Sequence, residues 1–214
     1  MTDAEYQVLL DLMFRVPPDD FETRLTAWRD ELAAEYPRAS DDRQDQIAGL
    51  VAENTIDLGS VLADWNLTNK ARQGEKALDP CALATQRETN LGLLRQWGRQ
   101  DLVSTVEEEL ASLAASNLAR LARMTLAGET NTYWGNDYAA NLYRAMRRGA
   151  CLVTTNPVLV NVARTEAPAY WTPIRDQLRE QHPSYNPVEL AYTMTVQVVV
   201  SNARLLRPLW ELTE

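Results

Sequence analysis

Gly149-Ala150-Cys151-Leu152-Val153-Thr154-Thr155-Asn156-Pro157-Val158-Leu159-Val160 is the stretch whose reading decides the fold. Its part from Ala150 to Val153 is a continuous apolar run of the kind a fully buried parallel strand needs. Pro157 forces Asn156 into an extended conformation, and Val160 to Arg164 then reads as helix. Working upstream, Gly149 stops a helix that Asp137 can cap. That helix carries Tyr138, Leu142, Ala145 and Met146 on one face, and Arg144, Arg147 and Arg148 near its negative C-terminal end. Before it, Glu129 to Trp134 is short, β-prone and closed by Gly135-Asn136, which predicts a first strand. Strand, helix and strand in that order make a βαβ unit. Downstream, Pro173 to Gln181 reads as helix and Pro183 to Pro187 as loop. On propensity alone the tail from Val188 to Leu212 is ambiguous, because Thr195 to Val200 is β-branched enough for a strand.

From Thr2 to about Ala127 the pattern is helical instead. Phe21, Leu25, Trp28, Leu32 and Tyr36 recur at three- and four-residue steps behind Asp19-Asp20, which can cap the helix. Ser40-Asp41-Asp42 opens a second helix through Ile47, Leu50 and Val51, and Ile56 to Arg72 repeats the pattern. Asn69 to Lys76 reads as a solvated turn, Pro80 to Trp97 as helix, and a long helical segment follows Gly98. No fixed repeat period is present, which argues against a solenoid.

The run Thr154-Thr155-Asn156-Pro157 with its aliphatic tail resembles the signature of the transaldolase family, at the end of the second strand of a (β/α)8 barrel. The likeness is specific over residues 149–161, extends over 128–214 and is absent from 1–127. It implies an α/β fold: a helical N-terminal region at 1–127, then the first βα units of a TIM barrel at 128–214, incomplete in this chain. It also favours a helix for the tail, since Arg204 to Trp210 resembles the last turns before the third barrel strand. A chain ending at Glu214, where that strand is due, reads as the front part of a longer protein. The resemblance further implies Asn156 and Asn131 as catalytic positions and Thr154 and Thr155 as substrate-binding residues, with a sugar phosphate as the substrate of complete relatives and no cofactor.

Two departures accompany the resemblance. Transaldolases work through a lysine Schiff base downstream of this signature, whereas the chain has only Lys70 and Lys76, both upstream. Asn131 also stands where the family places an aspartate, and an amide cannot exchange protons as a carboxylic acid does. Glu129 and Asp137 are the nearby carboxylates, Asp137 being explained by a helix cap. The chain alone is therefore expected to be inactive. A related aldolase shares the signature.

The remaining composition narrows the classes. Net charge is −9, with 22 acidic and 13 basic side chains in residues 1–127 and eight of each in 128–214. An acidic chain without a basic stripe is a poor binder of nucleic acid. No apolar run of membrane-spanning length and no export signal is read, so a cytoplasmic location is expected. Cys81 and Cys151 read as buried small hydrophobes, with no disulfide or metal site. His182 reads as a surface imidazole and the tryptophans as core anchors, except Trp134, which could wall a pocket. Two strands leave unpaired edges, through which association is expected. Beside the transaldolase-like reading stand two others: a non-catalytic binding or regulatory relative with a helical partner surface, and a helical structural protein in which Thr154 to Pro157 lies buried in a bundle.

Overall fold

Short polar residues divide the N-terminal sequence into separate helices. The computed structural model describes residues 3–137, 142–166 and 168–211. Helix α1 (Asp3–Phe14) leads through Pro17 into α2 (Pro18–Glu35), where Asp19 and Asp20 lie in the first turn and act on the helix dipole rather than as caps. A 3₁₀ turn at Tyr36–Arg38 precedes α3 (Asp41–Leu58). The Ile56 to Arg72 pattern is broken at Gly59-Ser60. The Ser60 hydroxyl accepts the Leu62 N–H at 3.2 Å and starts α4 (Val61–Arg72). Asp79 accepts from Cys81 N at 2.9 Å and starts α5 (Pro80–Gln96). Ser116 splits the long segment after Gly98 into α6 (Gln100–Ala115) and α7 (Asn117–Leu126).

Strand β1 (Gly135–Asn136), helix α8 (Leu142–Arg147) and strand β2 (Leu152–Val153) follow, and the two strands pair in parallel with Gly135 opposite Leu152. The chain ends in α9 (Pro157–Glu166), α10 (Pro168–Gln181) and α11 (Pro187–Glu211). The ambiguous tail is thus a helix. Tyr138 and Leu212 lie outside the described residues.

This architecture corrects the α/β expectation. The described chain is 79% helical with two two-residue strands, which is not the repeating strand and helix of a TIM-barrel start. The predicted strand at Glu129 to Trp134 is loop, and pairing begins only at Gly135. The second predicted strand shrinks to Leu152-Val153, and Leu152 is 48% exposed, so this strand is not buried on both faces. The apolar letters of 150–153 serve a different purpose: Ala150 packs fully buried while Val153 and half-buried Cys151 lie against the helices. Cys81, read as buried, is exposed.

Among the described residues packing forms three apolar clusters. One joins α1, α2, α4, α7, α8 and the end of α11 through Tyr6, Leu25, Leu62, Met146 and Leu205, and so contains side chains from both sides of residue 127. The next lies between α2, α3, α5 and α6 around Ile47, Leu94 and Val106. The smallest holds α9, α10 and α11 together through Val160, Trp171, Leu178, Leu190 and Val198. Burial of this kind contributes roughly 1.5–3 kcal/mol per large side chain before entropy is counted. Among the described residues no helix is long and apolar enough to cross a membrane.

Candidate functional site

Three constellations carry chemistry: the strand ends, a buried charge cluster, and a cleft between helices. The parallel register brings Asn136, Asp137, Thr154 and the following Asn156 to the carboxyl end of the strand pair, where Thr154 N–H donates to the Asn136 carbonyl at 3.0 Å. Asp137, Thr154 and Asn156 are exposed there, so Thr154 to Pro157 is not buried in a helical bundle. Thr155 is half-buried, and its hydroxyl oxygen has no hydrogen-bond partner. Asn131 does not join them. It lies exposed in the loop before β1, on the N-terminal side of that strand.

Asn156 is occupied in a way the sequence reading did not anticipate. Its Oδ1 accepts the N–H groups of Val158 and Leu159, each at 3.0 Å, capping α9. Both lone pairs of that oxygen are then used, and only the two amide hydrogens remain for a ligand. Asn186-Pro187 repeats the arrangement at the start of α11, where Asn186 Oδ1 accepts from Val188 at 2.8 Å and Glu189 at 3.1 Å. The same dipeptide thus makes the same cap where no strand precedes it. Asn156→Ala and Asn186→Ala should each lower stability by about 1 kcal/mol in urea unfolding. A loss well below this at Asn156 would show that capping is not its main task.

The second constellation is a buried charge cluster. Arg147 is buried; its Nε donates to Asp57 Oδ1 at 2.6 Å, its Nη1 pairs with Glu53 at 2.5 Å, and its Nη2 donates to the Glu53 carbonyl at 3.0 Å. The guanidinium sits 5.7 Å from the Tyr6 ring centroid and 5.1 Å from that of Tyr143. Burial pushes the Asp57 carboxyl up to about 6 against the opposing pull of Arg147. Tyr6, whose hydroxyl donates to Asp57 at 3.3 Å, is also raised, by burial first and then by the Asp57 charge. The cluster joins α1, α3 and α8, and its geometry is that of an internal fastening. From the sequence Arg147 carries only a helix-end role; its i+4 spacing from Tyr143, on one face of α8, was the available signal.

A cleft of about 670 Å³ opens between α1, α10 and α11. Trp171, Ile174 and Leu178 present one stripe of α10 to it at three- and four-residue steps, and Gln177 and Gln181 lie beside them. Across from these, α11 contributes Gln197, Ser201 and Arg204, again one turn apart, and α1 adds Gln7. Gln7 Nε2 is held by Asp11 at 2.9 Å. No carboxylate is among the described residues lining the cleft, so Arg204 is its one charge. Glutamines on exposed helix faces carry no signal in a single sequence, which is why this site was missed.

Neither lysine reaches any of these places with a free amine: Lys70 is ion-paired with Glu75 and Lys76 with Asp19. His182 stacks on Tyr185 with centroids 4.4 Å apart. Trp134 is half-buried beside the strand pair, and its indole N–H lacks a partner. No family model, curated protein or solved structure matches the chain.

Proposed function

We propose that this chain binds a phosphorylated polyhydroxy compound, a sugar phosphate of the transaldolase-like class, in the cleft between α1, α10 and α11, and does no covalent chemistry on it. The observation that carries this reading is the lining: four carboxamides, a hydroxyl, an indole and a single guanidinium in a cleft of about 670 Å³. That volume falls in the range of small-molecule sites. Carboxamides donate and accept at once, which suits neighbouring hydroxyls that do the same. Arg204 suits a phosphate, which it can engage with two parallel N–H bonds.

Catalysis is left out of the proposal for a chemical reason. An imine needs a neutral amine, and both lysines of the chain are tied to carboxylates on the other side of the sequence from Asn156. Borohydride reduction in the presence of a ketose phosphate is expected to leave no covalent adduct; mass detected on Lys70 or Lys76 would contradict this.

Calorimetric titration with a ketose phosphate, the corresponding free ketose and inorganic phosphate tests the binding. One charged contact and a set of neutral hydrogen bonds should give a dissociation constant of roughly 0.1–1 mM for the ketose phosphate. Losing the phosphate from the ligand, or making Arg204→Gln in the protein, should weaken it about tenfold, the usual worth of a charge-assisted hydrogen bond. Saturable binding that ignores Arg204→Gln and Gln197→Ala would place the ligand elsewhere, and no heat at all would remove the proposal.

A further inference from the structure

We propose that a second groove, bounded by α9, the later part of α10 and the first turns of α11, receives an acidic amphipathic helix of a partner protein. The groove encloses about 500 Å³, and its apolar lining includes Val160, Val188, Leu190, Tyr192 and Met194. Val188 is 77% and Tyr192 73% exposed, and Val158 beside Pro157 is 72% exposed. Apolar side chains this open and this close together mark an interaction surface rather than scattered surface residues.

Charge fixes the chemistry of the occupant. The chain has 30 acidic against 21 basic residues, yet the charged residues lining this groove are Arg164, Arg175 and Arg179. Arg164 donates to Asn161 at 2.9 Å, a neutral partner that leaves its charge in place. Arg175 is paired with exposed Asp176 next to it, and Glu189 on α11 is turned to the cap at Asn186. A net positive rim around an apolar floor complements a segment with aspartates and glutamates flanking aliphatic residues.

Backbone hydrogen bonding fixes the occupant's conformation. Both walls are helices whose N–H and C=O groups are internally satisfied, and the caps at Asn156 and Asn186 close the first turns of α9 and α11. None of the described residues lining the groove belongs to a strand that could pair with an extended chain. A segment that buries its backbone here gains no partners from the walls, so one that bonds internally, as an α-helix does, fits best. The α11 side of the groove runs from Pro187 to Thr195, which at 1.5 Å per residue is long enough for about two and a half turns of a helix lying alongside it.

The test is selection from a displayed library of amphipathic helices about 14 residues long, with acidic, basic or neutral residues flanking the apolar face, on the full chain. Acidic helices are expected to be enriched. A synthetic peptide of the enriched sequence should bind the variant Arg164→Glu, Arg175→Glu, Arg179→Glu at least about tenfold more weakly, and lose affinity as salt rises. Val188→Asp, at a position 77% exposed, should abolish binding by itself. Enrichment of neutral or basic helices, affinity unchanged in the triple variant, or no enrichment would overturn the proposal. So would co-sedimentation with phosphatidylserine vesicles that the triple variant loses, which would assign the groove to a membrane surface. A concentration-dependent dimer abolished by Val188→Asp would assign it to a second copy.

Discussion

Arg147→Ala should lower the free energy of unfolding by about 3–5 kcal/mol, the usual cost of removing one partner of a buried ion pair. The size follows from what is left behind. Asp57 is 1% exposed, and without Arg147 its remaining side-chain partner is the Tyr6 hydroxyl at 3.3 Å. A carboxylate so placed either stays charged in an apolar surround or takes up a proton. Because Asp57 is already pushed up to about 6 by burial, its folded form binds a proton more readily than the unfolded chain does. Its contribution to stability is therefore fully present below the unfolded value near 4 and is lost as pH rises through about 6. Taking Arg147 away raises the carboxyl further, so the penalty of Arg147→Ala should shrink on going from pH 8 to pH 5. Combining Arg147→Met with Asp57→Leu removes both charges and should restore most of the loss. Urea unfolding of Arg147→Ala and of the double variant at the two pH values checks this. A loss under about 1 kcal/mol for Arg147→Ala, or a penalty that grows toward acid, would mean the cluster is not the fastening between α8 and the N-terminal helices.

Gly149→Ala should cost about 2–5 kcal/mol, adding a left-handed backbone penalty to an overpacking one. Gly149 has φ +98°, and a Cβ there would lie 2.2 Å from Ala122 Cβ and 3.3 Å from Val61 Cγ1. The turn from α8 into β2 can press against α4 and α7 only because that position carries no side chain. Gly98→Ala provides the control: its φ is +73° but nothing lies within 4 Å of the added carbon. The control should lose only about 1–2 kcal/mol. Gly149→Ala with Ala122→Gly should recover the steric part and keep the backbone part. Equal losses at positions 98 and 149 would remove close packing from the explanation.

Helices were legible where a stripe met a boundary residue. Phe21, Leu25 and Leu32 are buried as their spacing predicted, and Gly149 ends α8 as read. Ser60 and Ser116 were passed over because their neighbours keep a helical period across them, and a cap is visible only once the side chain has a place to bond. The strand at Glu129 to Trp134 failed because β propensity describes a half-buried pleated surface, and among the described residues only Trp134, whose carbonyl accepts the Cys151 N–H at 3.2 Å, meets the second strand segment. The apolar run at Ala150 to Val153 is compatible with burial on either one or two faces, which periodicity over four residues cannot separate.

The site was legible in its letters and illegible in its roles. Asn156 does sit just beyond the second of two parallel strands, at the same end as Asn136, as the Asn-Pro turn after an apolar run suggested. What the spacing could not give is that its oxygen is spent on α9. Asn131 was placed at a strand end by bounds two to six residues off the real ones, since β1 spans Gly135–Asn136. Gln177, Gln181, Gln197 and Arg204 come together only because α10 and α11 run side by side, a long-range fact that no local pattern encodes.

The most direct test of the binding account is a side-chain amide spectrum of chain labelled with ¹⁵N at asparagine and glutamine, titrated with a ketose phosphate and assigned by single Gln→Glu changes. The account predicts that the amides of Gln177, Gln181 and Gln197 shift together and saturate while that of Asn156 stays in place. Movement of Asn156 without the glutamines, or no movement at ligand concentrations of about 10 mM, would contradict it.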